Sequence, residues 1–184
     1  MSQFYTRTGD DGFTGQLGAG RISKDHPRTE AVGAIDEANA AIGWARASCQ
    51  TEVAKEMLLV TQRHLYQVMA EVSATPENAS RFRTIGSEQV TWLEDQIAMI
   101  STQIEIPNEF IVPGDTLPGA ALDLARAIVR RAERRVSQLW HQAAIENTEL
   151  LRYMNRLSSL CFILELLENQ ASGHHNPTLA KTQP

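Results

Sequence analysis

From residue 28 onward, apolar residues recur at helical spacing. Val32, Ile35 and Ile42 recur with small residues between them, which predicts a helix over about 28–49. Val53, Met57, Val60, His64 and Val68 continue the period and predict a second helix over about 52–74. Thr75-Pro76 closes it, because the residue before proline avoids helical dihedrals. A third helix is predicted over about 87–104, with Ser87 as its cap candidate. Pro107, Pro113, Gly114 and Pro118 mark residues 105–118 as a connection. A fourth helix over about 119–143 and a fifth over about 148–169 complete the set. Five helices and no strand-period segment predict a single all-α domain, a five-helix bundle.

Residues 1–27 break this pattern. Gly9, Gly12, Gly15, Gly18 and Gly20 fall within twelve positions, among Thr6, Thr8, Asp10, Asp11 and Thr14. Glycine costs about 1 kcal/mol in a helix interior, so this stretch is expected to form an irregular polar arm. Pro27 stands where a helix could begin. The polar segment 171–184 is expected to be a mobile tail after a helical core over 28–170.

Composition narrows the class. Apolar residues make up 42% and charged residues 21% of the 184 positions, which fits a globular chain and excludes a disordered one. Apolar runs reach only about four residues, as in Met57–Val60 and Cys161–Leu164, so no membrane span is expected. The first residues carry no apolar signal segment, and Cys49 and Cys161 are too few for a disulfide framework. A cytoplasmic setting is therefore expected. A net charge of −5 argues against a nucleic-acid partner.

Within that acidic chain, five of seventeen Lys and Arg residues crowd into positions 126–135. Arg126, Arg130, Glu133 and Arg134 fall on one helical face. Ala125, Ile128, Ala132, Val136 and Leu139 fall on the other. Stacked guanidinium forks suit a polyanion, since each can hold two phosphate oxygens. The alternative is a solvated face with i,i+4 pairing. Glu133 could orient an arginine or hold a metal ion. The glycine-rich arm could turn backbone N–H groups toward an anion, or remain a flexible tail; it matches neither standard nucleotide loop. Asp36 and Asn39 interrupt the apolar stripe of the first helix. Asp36 could pair with an arginine of the fourth, or sit at the water's edge. His64, alone among apolar neighbours, reads as a satisfied core histidine. No nucleophilic triad and no Cys/His zinc spacing is present.

Six segments, in order, resemble one family. Thr6-Arg7-Thr8-Gly9-Asp10-Asp11-Gly12-Phe13-Thr14 is similar to the opening motif of PduO-type ATP:cob(I)alamin adenosyltransferases. Gly20-Arg21-Ile22-Ser23-Lys24-Asp25 resembles the element that follows, and Glu30 through Asn39 resembles E-x-x-G-x-x-D-E-x-N. Phe110-Ile111-Val112-Pro113-Gly114 is similar to F-I-L-P-G. Ala125 through Arg134 matches A-R-x-x-x-R-R-A-E-R, and Tyr153 through Ser158 resembles Y-L-N-R-L-S.

The resemblance implies a five-helix bundle of ferritin-like or adenosyltransferase-like architecture. It implies a homotrimer with active sites between subunits, and transfer of the 5′-deoxyadenosyl group of ATP to cob(I)alamin with release of triphosphate. Thr6, Arg7, Thr8, Gly9, Asp10, Thr14, Gly15 and Lys24 would wrap ATP. Arg130, Glu133, Arg134 and Asn155 would complete that pocket across the interface. Asp36 would pair with Arg126 of a neighbouring subunit. Phe110 would stand against the corrin, and Mg2+ would travel with the triphosphate, with Glu133 its candidate ligand. A reductase and an adenosylcobalamin-dependent enzyme are the further partners implied. The chain departs from the family at Ser159, where an aspartate near the corrin is usual. It also departs at Asp115, in place of a small residue, and at Asp123, in place of a histidine and a candidate replacement charge. The change at Ser159 leaves a non-catalytic ATP- or corrinoid-binding relative as the alternative.

Overall fold

The computed structural model describes residues 5–181. Its elements are β1 (Phe13–Gly15), β2 (Arg21–Ser23), α1 (Pro27–Ser48), α2 (Glu52–Ser73), α3 (Pro76–Phe82), α4 (Ser87–Ser101), α5 (Leu117–His141) and α6 (Thr148–Ala171). The chain is thus mostly helical, as expected, with two corrections among the described residues. There are six helices, the sixth being the seven-residue α3. Pro76 ends one helix by restricting Thr75 and opens the next from its N-terminal turn, where its missing N–H costs nothing. The arm also holds an antiparallel pair of three-residue strands, with Thr14 opposite Ile22.

Most helix starts follow from local chemistry. Pro27 occupies the first turn of α1, and the His26 ring accepts from the Arg28 amide at 3.1 Å. Thr51 caps α2, Thr116 caps α5 and Asn147 caps α6, each through a side-chain oxygen facing a free backbone N–H. The cap of α4 is Gly86 rather than Ser87, and the Gln89 side chain returns to its amide at 2.9 Å.

In packing order the long helices run α2, α1, α5, α6, α4. Alanines make the central contact close: Ala31, Ala34, Ala38, Ala41 and Ala45 of α1 are buried, as are Ala121, Ala125 and Ala132 of α5. The buried leucines of α6 and its one methionine, Met154, belong to the same core, and α6 packs against both α5 and α4. The Arg28 guanidinium donates to the carbonyls of Val72, Ala74 and Ala144, tying the start of α1 to the end of α2 and to the turn after α5. His64 bonds the Tyr153 hydroxyl at 3.0 Å and meets Trp92 edge-on, so it is a satisfied core histidine. Cys49 and Cys161 are buried free thiols, each pushed up to about 12 by burial. No helix among the described residues is long and apolar enough to cross a membrane.

The sequence expectation over 171–184 is a mobile tail. Helix α6 extends to Ala171, and the stretch from His174 to Ala180 folds back along the connection between α4 and α5. Residues 182–184 of that expectation lie outside the described residues.

Candidate functional site

Helix α5 presents the predicted face. Ala125, Val129, Ala132, Val136 and Leu139 point into the core, with Ile128 half-buried, and the arginines face outward. Three of those arginines are already engaged. Arg126 grips Asp123 one turn earlier through Nε and Nη2, both at 2.7 Å. Arg131 pairs with Glu37 of α1, and Arg135 lies 4.0 Å from Glu30. Asp36 is exposed, so the carboxylates that meet α5 within the chain are Glu37 and Glu30 instead. Among the described residues, no side-chain hydrogen bond or ion pair engages Arg130 or Arg134. Two guanidinium groups one turn apart, both exposed and unpaired, form a cationic site that the fold itself does not neutralise.

That pair has a prepared neighbour. Asn155 of α6 donates to Glu133 Oε1 at 3.0 Å and accepts from Arg156 at 2.9 Å, which fixes the orientation of its amide. Arg156 is itself held by Glu94 of α4 at 3.0 Å. Glu133 and Asn155 therefore meet across the α5–α6 seam, beside Arg130 and Arg134.

Toward the start of α5, the face borders a cavity of about 660 Å3 between α4, α5, α6 and the α4–α5 connection. Its walls are largely apolar, with Ile97, Ile111 and Phe162 prominent. Its polar edge carries Asp123, Arg126, Arg130, Ser158 and Ser159. The volume is that of a small-molecule or cofactor site. Phe110 also lines it and is 85% exposed, so this ring is presented rather than packed. Ser158 spends its hydroxyl on the Asn155 carbonyl at 2.8 Å, whereas Ser159 is exposed.

The arm forms a second group. Arg7 adopts a positive φ of 61° and Gly12 one of 81°, giving consecutive turns. Thr6 and Thr8 share a hydrogen bond of 2.8 Å. The Lys24 ammonium lies against Gly9, so close that a Cβ there would stand 3.0 Å from Nζ. Thr14 and Gly15 belong to β1, and Asp10 is exposed at the turn before it. Among the described residues, no hydrogen bond or ion pair joins this arm to Arg130, Glu133, Arg134 or Asn155 of the same chain.

Sequence reasoning assigns no role to three features found here. The first is Arg21, whose fork takes both oxygens of Asp11 (2.7 and 2.8 Å) and the carbonyls of Phe13 and Thr8, fastening the arm. That bond holds the Asp11 carboxyl below its usual range. The second is Glu165, 1% exposed on α6, with neither carboxylate oxygen hydrogen-bonded. Burial first, then the nearby Asp123, pushes it up to about 8. A glutamate inside the apolar run of α6 is the signal that could have found it. The third is the Asp115 contact with the tail, for which the local sequence gives no sign.

The fold and the site define a helical-bundle protein that sets an unneutralised arginine pair beside a largely apolar cavity. The comparisons agree with that class. The family model for cobalamin adenosyltransferase matches residues 4–168. Corrinoid adenosyltransferase PduO of Salmonella typhimurium is 36% identical over 173 residues, covering 94% of this chain and 51% of that protein. The corrinoid adenosyltransferase of Bacillus subtilis is 37% identical over 175 residues, covering 93% and 89%. A solved PduO-type ATP:corrinoid adenosyltransferase from Lactobacillus reuteri, an alanine-for-phenylalanine variant complexed with cobalamin and ATP, superposes with a TM-score of 0.90. It is 28% identical and covers 98% of this chain and 100% of its own. The chain spans about half the length of the Salmonella and Citrobacter PduO proteins it matches. The chain belongs to the cobalamin adenosyltransferase family.

Proposed function

We propose that the protein transfers the 5′-deoxyadenosyl group of ATP to the Co(I) of cob(I)alamin, forming adenosylcobalamin and releasing triphosphate. The observation that carries this is the unpaired Arg130–Arg134 pair beside the Glu133–Asn155 contact, with Arg130 lining the cavity of about 660 Å3. One helix face thereby reaches both a site for phosphates and a site for a large apolar ring. Family membership over residues 4–168 supports the same reading.

The reaction needs little from the protein by way of covalent chemistry. The cobalt electron pair forms the Co–C5′ bond as the C5′–O5′ bond breaks, and that bond's pair leaves on triphosphate. The nucleophile belongs to the substrate, so no side-chain nucleophile or general base is required. What remains is to hold C5′ in line with cobalt and to stabilise charge on the leaving group. Arg130, Arg134 and Lys24 perform the second task. Thr6, Arg7, Thr8, Gly9, Asp10, Thr14 and Gly15 wrap the nucleotide. Phe110 and the apolar walls keep water from the cobalt face, with Ser159 at the rim. Magnesium fits as a companion of the triphosphate, because Glu133 is the carboxylate on the arginine face and would hold it. When bound, the ion supplies positive charge at the phosphates.

The family resemblance implies a complete site composed between subunits of a homotrimer, with Asp36 and Arg126 paired across the interface, and the lack of any bond between the arm and the arginine face among the described residues is compatible with it. Sedimentation should therefore show three chains. Incubating the protein with ATP, Mg2+ and chemically reduced cobalamin should produce adenosylcobalamin, read by its absorbance. No product at any protein concentration overturns the proposal. Arg21→Ala should weaken ATP binding about tenfold by calorimetry, the size of one charged hydrogen-bond set lost. Its melting temperature should stay near that of the parent, because Arg21 and Asp11 are both exposed.

A further inference from the structure

The connection that carries Phe110 cannot hold itself. Pro107 and Pro113 donate no backbone hydrogen bond, and Gly114 has a φ of 123°. Among the described residues, the only backbone hydrogen bonds to residues 110–112 come from the chain after α6. The Ala180 amide donates to the Phe110 carbonyl at 2.7 Å, and the Val112 amide donates to the Thr178 carbonyl at 2.7 Å. Ile111 and Leu179 form an antiparallel bridge between these bonds.

One side chain fastens that pairing. The Asp115 carboxylate accepts the Thr178 amide at 2.9 Å on Oδ2 and the Thr178 hydroxyl at 2.6 Å on Oδ1. His174 Nε2 lies 3.3 Å from the same carboxylate. Asp115 is itself placed firmly, because the next residue, Thr116, caps α5 and donates to Asn169 of α6 at 2.6 Å. The carboxylate is therefore fixed to the bundle on one side and grips the tail on the other.

We propose that Asp115 is a positioning residue for the corrinoid site: it latches residues 174–180 onto the connection and so sets where Phe110 stands at the cavity. The corrinoid part of this rests on the proposed transfer reaction; the latch does not. Alanine removes both acceptors, so Asp115→Ala breaks the grip; asparagine would not, because the Thr178 hydroxyl can turn and accept from its NH2 group. Thr178→Val removes the hydroxyl bond at an exposed position and leaves the bundle untouched.

Two measurements test this on the full chain. Hydrogen–deuterium exchange should show the Val112 and Ala180 amides protected in the parent, and released about tenfold or more in both variants. With ATP bound, the affinity for cob(II)alamin, and the paramagnetic resonance signature of cobalt without a lower axial ligand, should both fall. A rise of about tenfold in corrinoid KM is expected for a misplaced contact group, with the KM for ATP unchanged. Unchanged protection in both variants overturns the latch. Released amides with unchanged cob(II)alamin affinity, signature and KM overturn the positioning role. A parent that transfers nothing to cob(I)alamin defeats the function reading instead, and the exchange result still decides whether the latch exists.

Discussion

Arg130→Ala should lower kcat/KM for adenosyl transfer by roughly 30- to 5,000-fold, the equivalent of about 2–5 kcal/mol for truncating a desolvated charged contact. The size follows from where Arg130 stands. It lines the cavity, faces away from the packed side of α5, and has no internal carboxylate to neutralise it. A guanidinium kept free this way is available to a charge that grows during the reaction, which is where preorganised donors act most strongly. Because its removal deletes no intrachain bond, the melting temperature should stay within a few degrees of the parent. Steady-state kinetics with ATP varied at saturating cob(I)alamin checks the first expectation, and circular dichroism the second. An unchanged kcat/KM would remove Arg130 from the site.

Glu165→Gln should change how stability responds to pH. The carboxyl is 1% exposed, faces Asp123 and Arg126 of α5 and Asp115 of the connection, and lies one helical turn from Cys161. Its folded value of about 8 stands above the ordinary 4.5. Between those two values the folded chain keeps the proton and the unfolded chain has lost it. The sign is thus fixed: this group favours the folded state fully below about pH 4.5, and stability declines as pH rises toward 8. The decline is on the order of a few kcal/mol, set by the cost of ionising an unpaired buried carboxyl. Glutamine cannot ionise, so the variant should be the more stable chain at pH 9 and nearly level with the parent at pH 5. Urea unfolding at pH 5, 7 and 9 reads the slope directly. Parallel slopes would show that Glu165 is ionised, or solvated, in the folded chain.

The long helices are legible in the sequence because their apolar positions keep one period for about four to seven turns. Val32, Ile35 and Ile42 suffice to place α1, and the expected span of about 28–49 falls within one residue of Pro27–Ser48 at each end. Helix α3 escapes because seven residues carry too little periodicity, and Pro76 signals a stop as strongly as a start. The β1–β2 pair escapes because three-residue strands such as Phe13-Thr14-Gly15 show no alternation among glycines. In the site, the arginine face is legible from spacing alone, since Arg126, Arg130, Glu133 and Arg134 are separated by whole or near-whole turns. Which of the five arginines at 126–135 stay free is less legible, beyond the local Arg126–Asp123 pair. It depends on Glu37 and Glu30 standing opposite Arg131 and Arg135 once α1 docks. The cavity walls come from segments some fifty residues apart, and the Asp115–Thr178 contact spans 63 positions, so neither has a local signature.

The two thiols carry a practical consequence. Thiolate is the form that reacts with alkylating reagents, and a value near 12, against about 8.5 for a free cysteine, lowers its population by roughly three orders of magnitude. Cys49 and Cys161 are also walled off from reagent by the bundle. The native chain is therefore a quiet background for labelling: a cysteine introduced on the arm or near Phe110 would take a spin label or fluorophore alone, with no need to delete the natural pair first.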